Sequence, residues 1–316
     1  MDWSSEPPNR PAALRLVRSV TWLGADESAQ GPAVGASFAM PTDHPIAAGH
    51  YPGDPIVPGT CLLEAALQAI ELAPPGAWPA AGELVRVDDL QLMHPVRPGE
   101  TIELHAQPAA APAAEPELAG AWRWRVAFTH AGRKIARATL LIGARPAEPV
   151  GAAPAWSDTP EWTELKALDV VRSLPHRAPL LLIDAAWVAP GGTQVVATRS
   201  VTLADSCYGL LSQCPDAGDL RYPSLMVAES MAQAAGLLQL GGDRGAHVPM
   251  LLGGMRRLEF HGAAEPGESL RHELSLRRRF GATAMVSGIT FAGRRLIARM
   301  HDLLITVGDN YTSPRL

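Results

Sequence analysis

Two stretches of this chain have helical character yet are apolar around nearly their whole circumference. In 60–72, Cys61, Leu62, Leu63, Ala65, Ala66, Leu67, Ala69, Ile70 and Leu72 leave almost no polar face. Within that run Glu64 and Gln68 stand four apart and so share one side. The segment PSLMVAESMAQAAGLLQL (223–240) repeats the pattern with Glu229 and Gln233. A helix that is hydrophobic all round is a buried helix. The fold must therefore enclose two similar helices, each carrying one carboxylate. A buried carboxylate is costly unless it is paired or hydrogen-bonded.

The rest of the chain repeats too. HPVRPGETIEL (94–104) echoes HGAAEPGESLRHEL (261–274), with Pro-Gly-Glu forming a turn before an alternating strand in each. The strand-rich segments 122–143 and 272–308 both contain Ala-Gly-Arg followed by an apolar strand. Each half thus reads as strand, helix, then several strands, an α+β pattern and not an alternating βαβ one. At 316 residues and 47% hydrophobic composition there is material for two cores. We place an N-terminal domain at 1–146, an Ala/Pro-rich linker at 147–161 and a C-terminal domain at 162–316. A second Ala/Pro-rich stretch, 107–120, reads as a long loop or hairpin extension. A curled antiparallel sheet around a central helix is the hotdog arrangement, so the expectation is a double hotdog.

Composition excludes several function classes. A net charge of −5 and a pI near 6.1 do not suit a nucleic-acid or membrane-surface binder. There is no apolar run of transmembrane length, and the N-terminus does not read as a signal peptide. Cys61, Cys207 and Cys214 are an odd number, read as reduced thiols in a cytoplasmic protein. Neither cysteines nor histidines show metal-ligand spacing, so no metal and no redox cofactor is expected.

The chemistry centres on GHYPGDPIVPG (49–59), which carries His50 on a Pro- and Gly-dense loop into the first helix. One buried Glu alone is as readily structural as functional. A His on a rigid loop beside a buried acid is the pair needed to take a proton from carbon and give one to oxygen.

HYPGDPIVPGTCLLEAALQ resembles the motif of the bacterial β-hydroxyacyl-ACP dehydratases: His-Phe-Pro-Gly, a Pro, a Pro-Gly, then an acid fourteen residues after the His. His50 and Glu64 have that spacing, with Tyr51 in place of Phe. In the second half, LPHRAPLLLIDAAWV (174–188) resembles the family's opening segment and AESMAQAAGLL (228–238) its helix. GGMRRLEFHGAAEPGESL (253–270) resembles the strand and turn that follow. One departure decides the site. Fourteen residues before Glu229 stands Pro215, and no His occurs between 177 and 246. The second half has kept the acid and lost the base.

In that family each site combines His from one protomer with the acid from the other. The resemblance therefore implies a pseudo-dimer within one chain, as in the dehydratase domains of polyketide synthases, with His50 paired to Glu229. Glu64 and Gln68 would mark a vestigial second site. The implied reaction removes water from a β-hydroxyacyl thioester held on the phosphopantetheine of an acyl carrier protein. The backbone N–H of Gly59 would polarise the thioester carbonyl from a helix N-terminus. Neutral His50 would take the α-proton. Glu229, kept protonated by an apolar site and oriented by Gln233, would protonate the leaving hydroxyl.

His176 falls in the family's opening segment and is read as structural. Cys207 and Cys214 lie near the vacated His position and are read as small buried thiols. Arg256 and Arg257, with Arg277 to Arg279, Arg294 and Arg295, form a basic cluster suited to an acidic carrier protein; strand-edge charges that discourage edge pairing are the other reading. Three other functions stay open. A hotdog thioesterase would not need the His50 loop. A double-bond isomerase would use the same pair. A non-catalytic acyl-binding subunit would not need His50, Gly59 and Glu229 together.

Overall fold

The computed structural model describes residues 2–3, 16–17, 20–25, 32–72, 82–109, 118, 120–145, 161–208, 218, 220–241 and 250–308. Cys214, Pro215 and all of the 147–161 linker except Glu161 lie outside them.

The first half runs β1 (Asp2–Trp3), β2 (Val20–Ala25), β3 (Pro32–Phe38), a short helix α1 (Pro45–Gly49), α2 (Gly59–Glu71), β4 (Glu83–Leu92), β5 (Ile102–Ala109), β6 (Trp122–His130) and β7 (Arg133–Gly143). The second runs β8 (Thr163–Leu165), α3 (Ala167–Ser173), β9 (Ala185–Val188), β10 (Gln194–Ser200), α4 (Ser224–Gln239), β11 (Met250–Phe260), β12 (Ser269–Phe280), β13 (Thr283–Ala292) and β14 (Arg295–Val307). Among the described residues they form one antiparallel sheet in the order β1-β2-β3-β5-β6-β7-β4-β11-β14-β13-β12-β10-β9-β8. Read outward from the β4–β11 seam, the two halves have the same order. This is the double hotdog of mixed α+β class.

The helices are enclosed as their composition requires. Cys61 through Ile70 of α2 are all buried, and so is α4 from Leu225 to Leu238 except Ala232. Burying one Leu side chain contributes about 1.5–3 kcal/mol, and each helix offers several. The strands supply the matching apolar face through their two-residue period. On β5, Ile102, Leu104, Ala106 and Pro108 point inward while Glu103 and His105 point out. The strand continues through Ala109, with Pro108 opposite Trp124. Residues 107–109 of the expected loop 107–120 are thus strand, because the inward phase of β5 carries on through Pro108.

Each helix glutamine has a structural task. Gln68 Oε1 accepts from the N–H groups of Leu16 (2.8 Å) and Val17 (3.1 Å), and Gln233 Oε1 accepts from Leu182 (2.8 Å). Each half thereby pins an incoming segment to its own helix. At the seam, Gly254 lies where a Cβ would come within 2.4 Å of the Leu90 carbonyl oxygen, so only glycine allows β11 so close to β4. Asp88 of β4 sits between two arginines there, 2.9 Å from Arg86 Nε and 3.0 Å from Arg257 Nε.

Candidate active site

The loop that follows α1 is built against the other half of the chain. A Cβ on Gly49 would lie 2.5 Å from the Arg177 carbonyl oxygen, so glycine lets segment 174–177 approach. Arg177 N–H donates to the Gly49 carbonyl at 2.8 Å, and His50 and His176 form a bridge beside it. Tyr51 takes a positive φ of 60°, a rare conformation for a bulky residue. Its hydroxyl donates to the Met250 carbonyl, tying the loop to the start of β11.

His50 is 7% exposed, and its Nδ1 lies 2.8 Å from the Ile56 carbonyl oxygen. A carbonyl can only accept, so Nδ1 carries the hydrogen and Nε2 keeps a free lone pair. Burial lowers the His50 pKa below the ordinary 6.5, against smaller upward pulls from Glu229 in its ionised form and from the Ile56 bond. The imidazole is therefore neutral at physiological pH and equipped as a base.

Glu229 comes from α4 and is 6% exposed. Its Oε1 accepts from Gln233 Nε2 at 3.1 Å and its Oε2 is 3.0 Å from Thr60 Oγ1. His176 Nε2 stands 3.6 Å from Oε1. The His50 and His176 rings are 5.2 Å apart between centroids. His50, Glu229, Gly59 and Gln233 line one cavity of about 340 Å³, whose walls are otherwise mainly apolar and come from both halves. Gly59 is the first residue of α2; the preceding cap residue, Pro58, makes no side-chain hydrogen bond to the helix end. Helix geometry gives the first amide no partner of its own.

Glu64 and Gln68 do not line that cavity. Glu64 is 3% exposed and accepts from Gln68 Nε2 at 2.8 Å. Arg256 and Arg257 do not line it either. Arg256 pairs with Asp302 at 2.6 Å, and Arg257 pairs with Asp88 at 3.0 Å and with Glu259 at 3.9 Å. Cys61 and Cys207 are buried free thiols. Burial raises the thiol pKa in both, to about 12 for Cys207, which leaves no thiolate nucleophile there at neutral pH.

His176 corrects the sequence reading. It is 6% exposed and belongs to the same cluster as His50 and Glu229, not only to the framework. Burial drives its pKa well below 6.5, helped by His50 and Arg177, and its Nδ1 has no hydrogen-bond partner among the described residues. A signal was available. The first-half sequence that leads into Leu16 and Val17, NRPAALRLV (9–17), has no histidine where LPHRAPLLL (174–182) has His176. Ligand atoms of His50, His176 and Glu229 all lie within 4.8 Å of one another, so the fold assembles a possible metal-binding trio that the sequence spacing did not show. Tetrahedral zinc at usual bond lengths holds its ligands roughly 3.4 Å apart. The His176–Glu229 distance suits this, and His50 would have to close in.

Residues 26–116 match the family model described as ApeI dehydratase. The chain is 32% identical over 135 residues to the 3-hydroxyacyl-acyl-carrier-protein dehydratase FabZ of Alkalilimnicola ehrlichii, covering 41% of this chain and 83% of that protein. It is 30% identical over 140 residues to the FabZ of Thermotoga petrophila, covering 43% and 95%. A relative of that length corresponds to one half of this chain. Two solved structures match nearly end to end. The dehydratase domain of RzxB from Pseudomonas fluorescens has a TM-score of 0.60 at 16% identity, covering 92% of this chain and 98% of that one. The dehydratase domain from the CurJ module of curacin polyketide synthase has a TM-score of 0.61 at 12% identity, covering 93% and 97%. At such identity these two establish the fold, while the sequence match establishes kinship: the chain belongs to the FabZ family of 3-hydroxyacyl-acyl-carrier-protein dehydratases.

Proposed function

We propose that this protein eliminates water from a β-hydroxyacyl thioester, with His50 as base and Glu229 as acid. The observation that carries this reading is their meeting in one apolar cavity from opposite halves of the chain. His50 has a free lone pair there, and Glu229 has a neighbour on each oxygen.

The steps balance. The thioester carbonyl accepts the Gly59 N–H at the start of α2, where unpaired amides favour developing negative charge. His50 Nε2 takes the α-proton, and the C–H electrons pass to the carbonyl oxygen as an enolate. The enolate collapses to the α,β double bond, the C–O bond breaks, and Glu229 protonates the departing hydroxyl to give water. His50 is left as imidazolium and Glu229 as carboxylate; return of one proton from the first to the second restores the starting state. This chain's own residues supply every proton transfer.

The names of the relatives point to a carrier-bound substrate and, with the family resemblance, to a reaction in fatty-acid or polyketide synthesis, with the acyl chain in the apolar cavity and the pantetheine arm leading out. Arg256, more than half exposed, is available to an acidic carrier surface. Arg257 is engaged at the seam and serves the joint between the halves at least as much.

The test is a panel of β-hydroxyacyl thioesters of graded chain length on a carrier protein, incubated with the protein and read by mass spectrometry. An enoyl product one water lighter from wild type, absent with His50→Ala, is the expected result. Binding without water loss across the panel would instead identify a non-catalytic acyl binder.

A further inference from the structure

We propose that Thr60 is a positioning residue for the acid step. Its hydroxyl bonds Oε2, the oxygen that carries the Glu229 proton, and meets the charge left when that proton departs. This rests on the dehydratase reading above and adds a residue to it.

The Gln233 amide is fully committed. Its oxygen accepts the Leu182 N–H at 2.8 Å. Its nitrogen donates to the Leu180 carbonyl at 2.8 Å and to Glu229 Oε1 at 3.1 Å. The backbone partners set the orientation of the amide, so the group facing Oε1 is N–H and cannot be C=O. Oε1 is therefore an acceptor whichever charge Glu229 carries. The proton of the neutral acid belongs on Oε2, and the side chain bonded to that oxygen is Thr60, at 3.0 Å.

A hydroxyl suits this place because it can either accept or donate. Beside the neutral acid, the Thr60 O–H donates to the remaining lone pair of Oε2 or turns aside, leaving the Oε2 proton for the substrate hydroxyl. Once that proton has gone, the Thr60 O–H rotates to donate to the carboxylate. The donor is in place before the charge appears, as electrostatic stabilisation of a developing anion requires. His176, at 3.6 Å from Oε1, is beyond hydrogen-bond distance and faces the other oxygen. Thr60 also follows Gly59 directly on α2. One turn of helix from the first half thus holds both the carbonyl-polarising amide and the second half's acid.

The test uses Thr60→Val, which keeps the shape and removes the hydroxyl, and Thr60→Ser, which keeps the hydroxyl. Hydrogen bonds to charged groups support an expected fall in kcat of about ten- to a hundredfold for Val. KM should stay within about twofold, and Ser should recover most of the loss. In a Glu229→Gln background, Thr60→Val should cost nothing further. Wild-type kcat in the Val variant, a Ser variant as slow as Val, or an undiminished loss in the Glu229→Gln background would each overturn the proposal. If Val does not fold, Ala takes its place. A denaturation cycle over Thr60→Val and Glu229→Ala reads the bond without turnover. Non-additive midpoints are expected, and additive ones would refute the contact even if the dehydratase reading itself failed.

Discussion

The two halves carry similar helix acids, so exchanging each for its amide separates the cross-half site from a site within the first half. Glu229→Gln keeps the shape and removes the transferable proton. The loss of the general acid is expected to lower kcat by about 10²–10⁴. Glu64→Gln should leave kcat within a few-fold, because Glu64 does not line the cavity. Glu64 accepts from Gln68 at 2.8 Å, and Gln68 in turn holds the Leu16 and Val17 amides. An amide at position 64 can still accept that bond. It also replaces an acceptor oxygen by an NH₂ group in a site that is 3% exposed, and losing an acceptor from a buried hydrogen-bonded site costs about 1–3 kcal/mol. Glu64→Gln should therefore lower stability by that amount and spare turnover. The assay is enoyl formation from one carrier-bound β-hydroxyacyl thioester, with urea unfolding of each variant run in parallel. A folded Glu64→Gln protein that has lost turnover, beside an active Glu229→Gln protein, would refute the cross-half assignment.

Three further outcomes follow from the charges. His50 must be neutral to act, and burial lowers its pKa; the acid limb of the kcat/KM profile should fall below pH 6.5, and a limb at or above 6.5 would contradict the base assignment. His272 is fully buried, with Nε2 2.7 Å from Ser230 Oγ and Nδ1 2.8 Å from Thr290 Oγ1, and burial holds its pKa at about 3. The unfolded chain binds that proton first, so stability should be full above pH 6.5 and fall by up to ~1.4 kcal/mol per unit toward pH 3; urea unfolding of His272→Gln should show a shallower slope, and an unchanged slope would exclude His272 as a source. Arg256→Glu should raise KM for a carrier-bound substrate and spare a short pantetheine thioester, whereas Arg257→Glu, placed against Asp88 and Glu259, should lower stability; equal KM effects on both substrates would remove Arg256 from the carrier surface.

The parts of the fold legible in the sequence were those with a local physical cause. All-round apolarity of 60–72 and 223–240 requires enclosure wherever the helices end up, and α2 (59–71) and α4 (224–239) are enclosed. The extent of β5 was not legible, because an Ala/Pro-rich composition marks a loop unless the strand's inward phase runs through it. In the site, spacing alone favoured Glu64. The missing second His, set against the cross-protomer site that the resemblance implies, favours Glu229 instead. The tasks of His176, read from sequence as structural, and of Thr60 are illegible there for one shared reason: what each does is decided across the chain, not near it. His176 meets His50 because Gly49 leaves room for segment 174–177, and Thr60 meets an acid 169 residues away. The arginines show the same limit from the other side. Arg256 and Arg257 are neighbours on β11, but β14 gives one of them Asp302 and β4 gives the other Asp88. A charge cluster in sequence is thus no guide to which of its members remains available to a partner; that depends on the strand placed alongside.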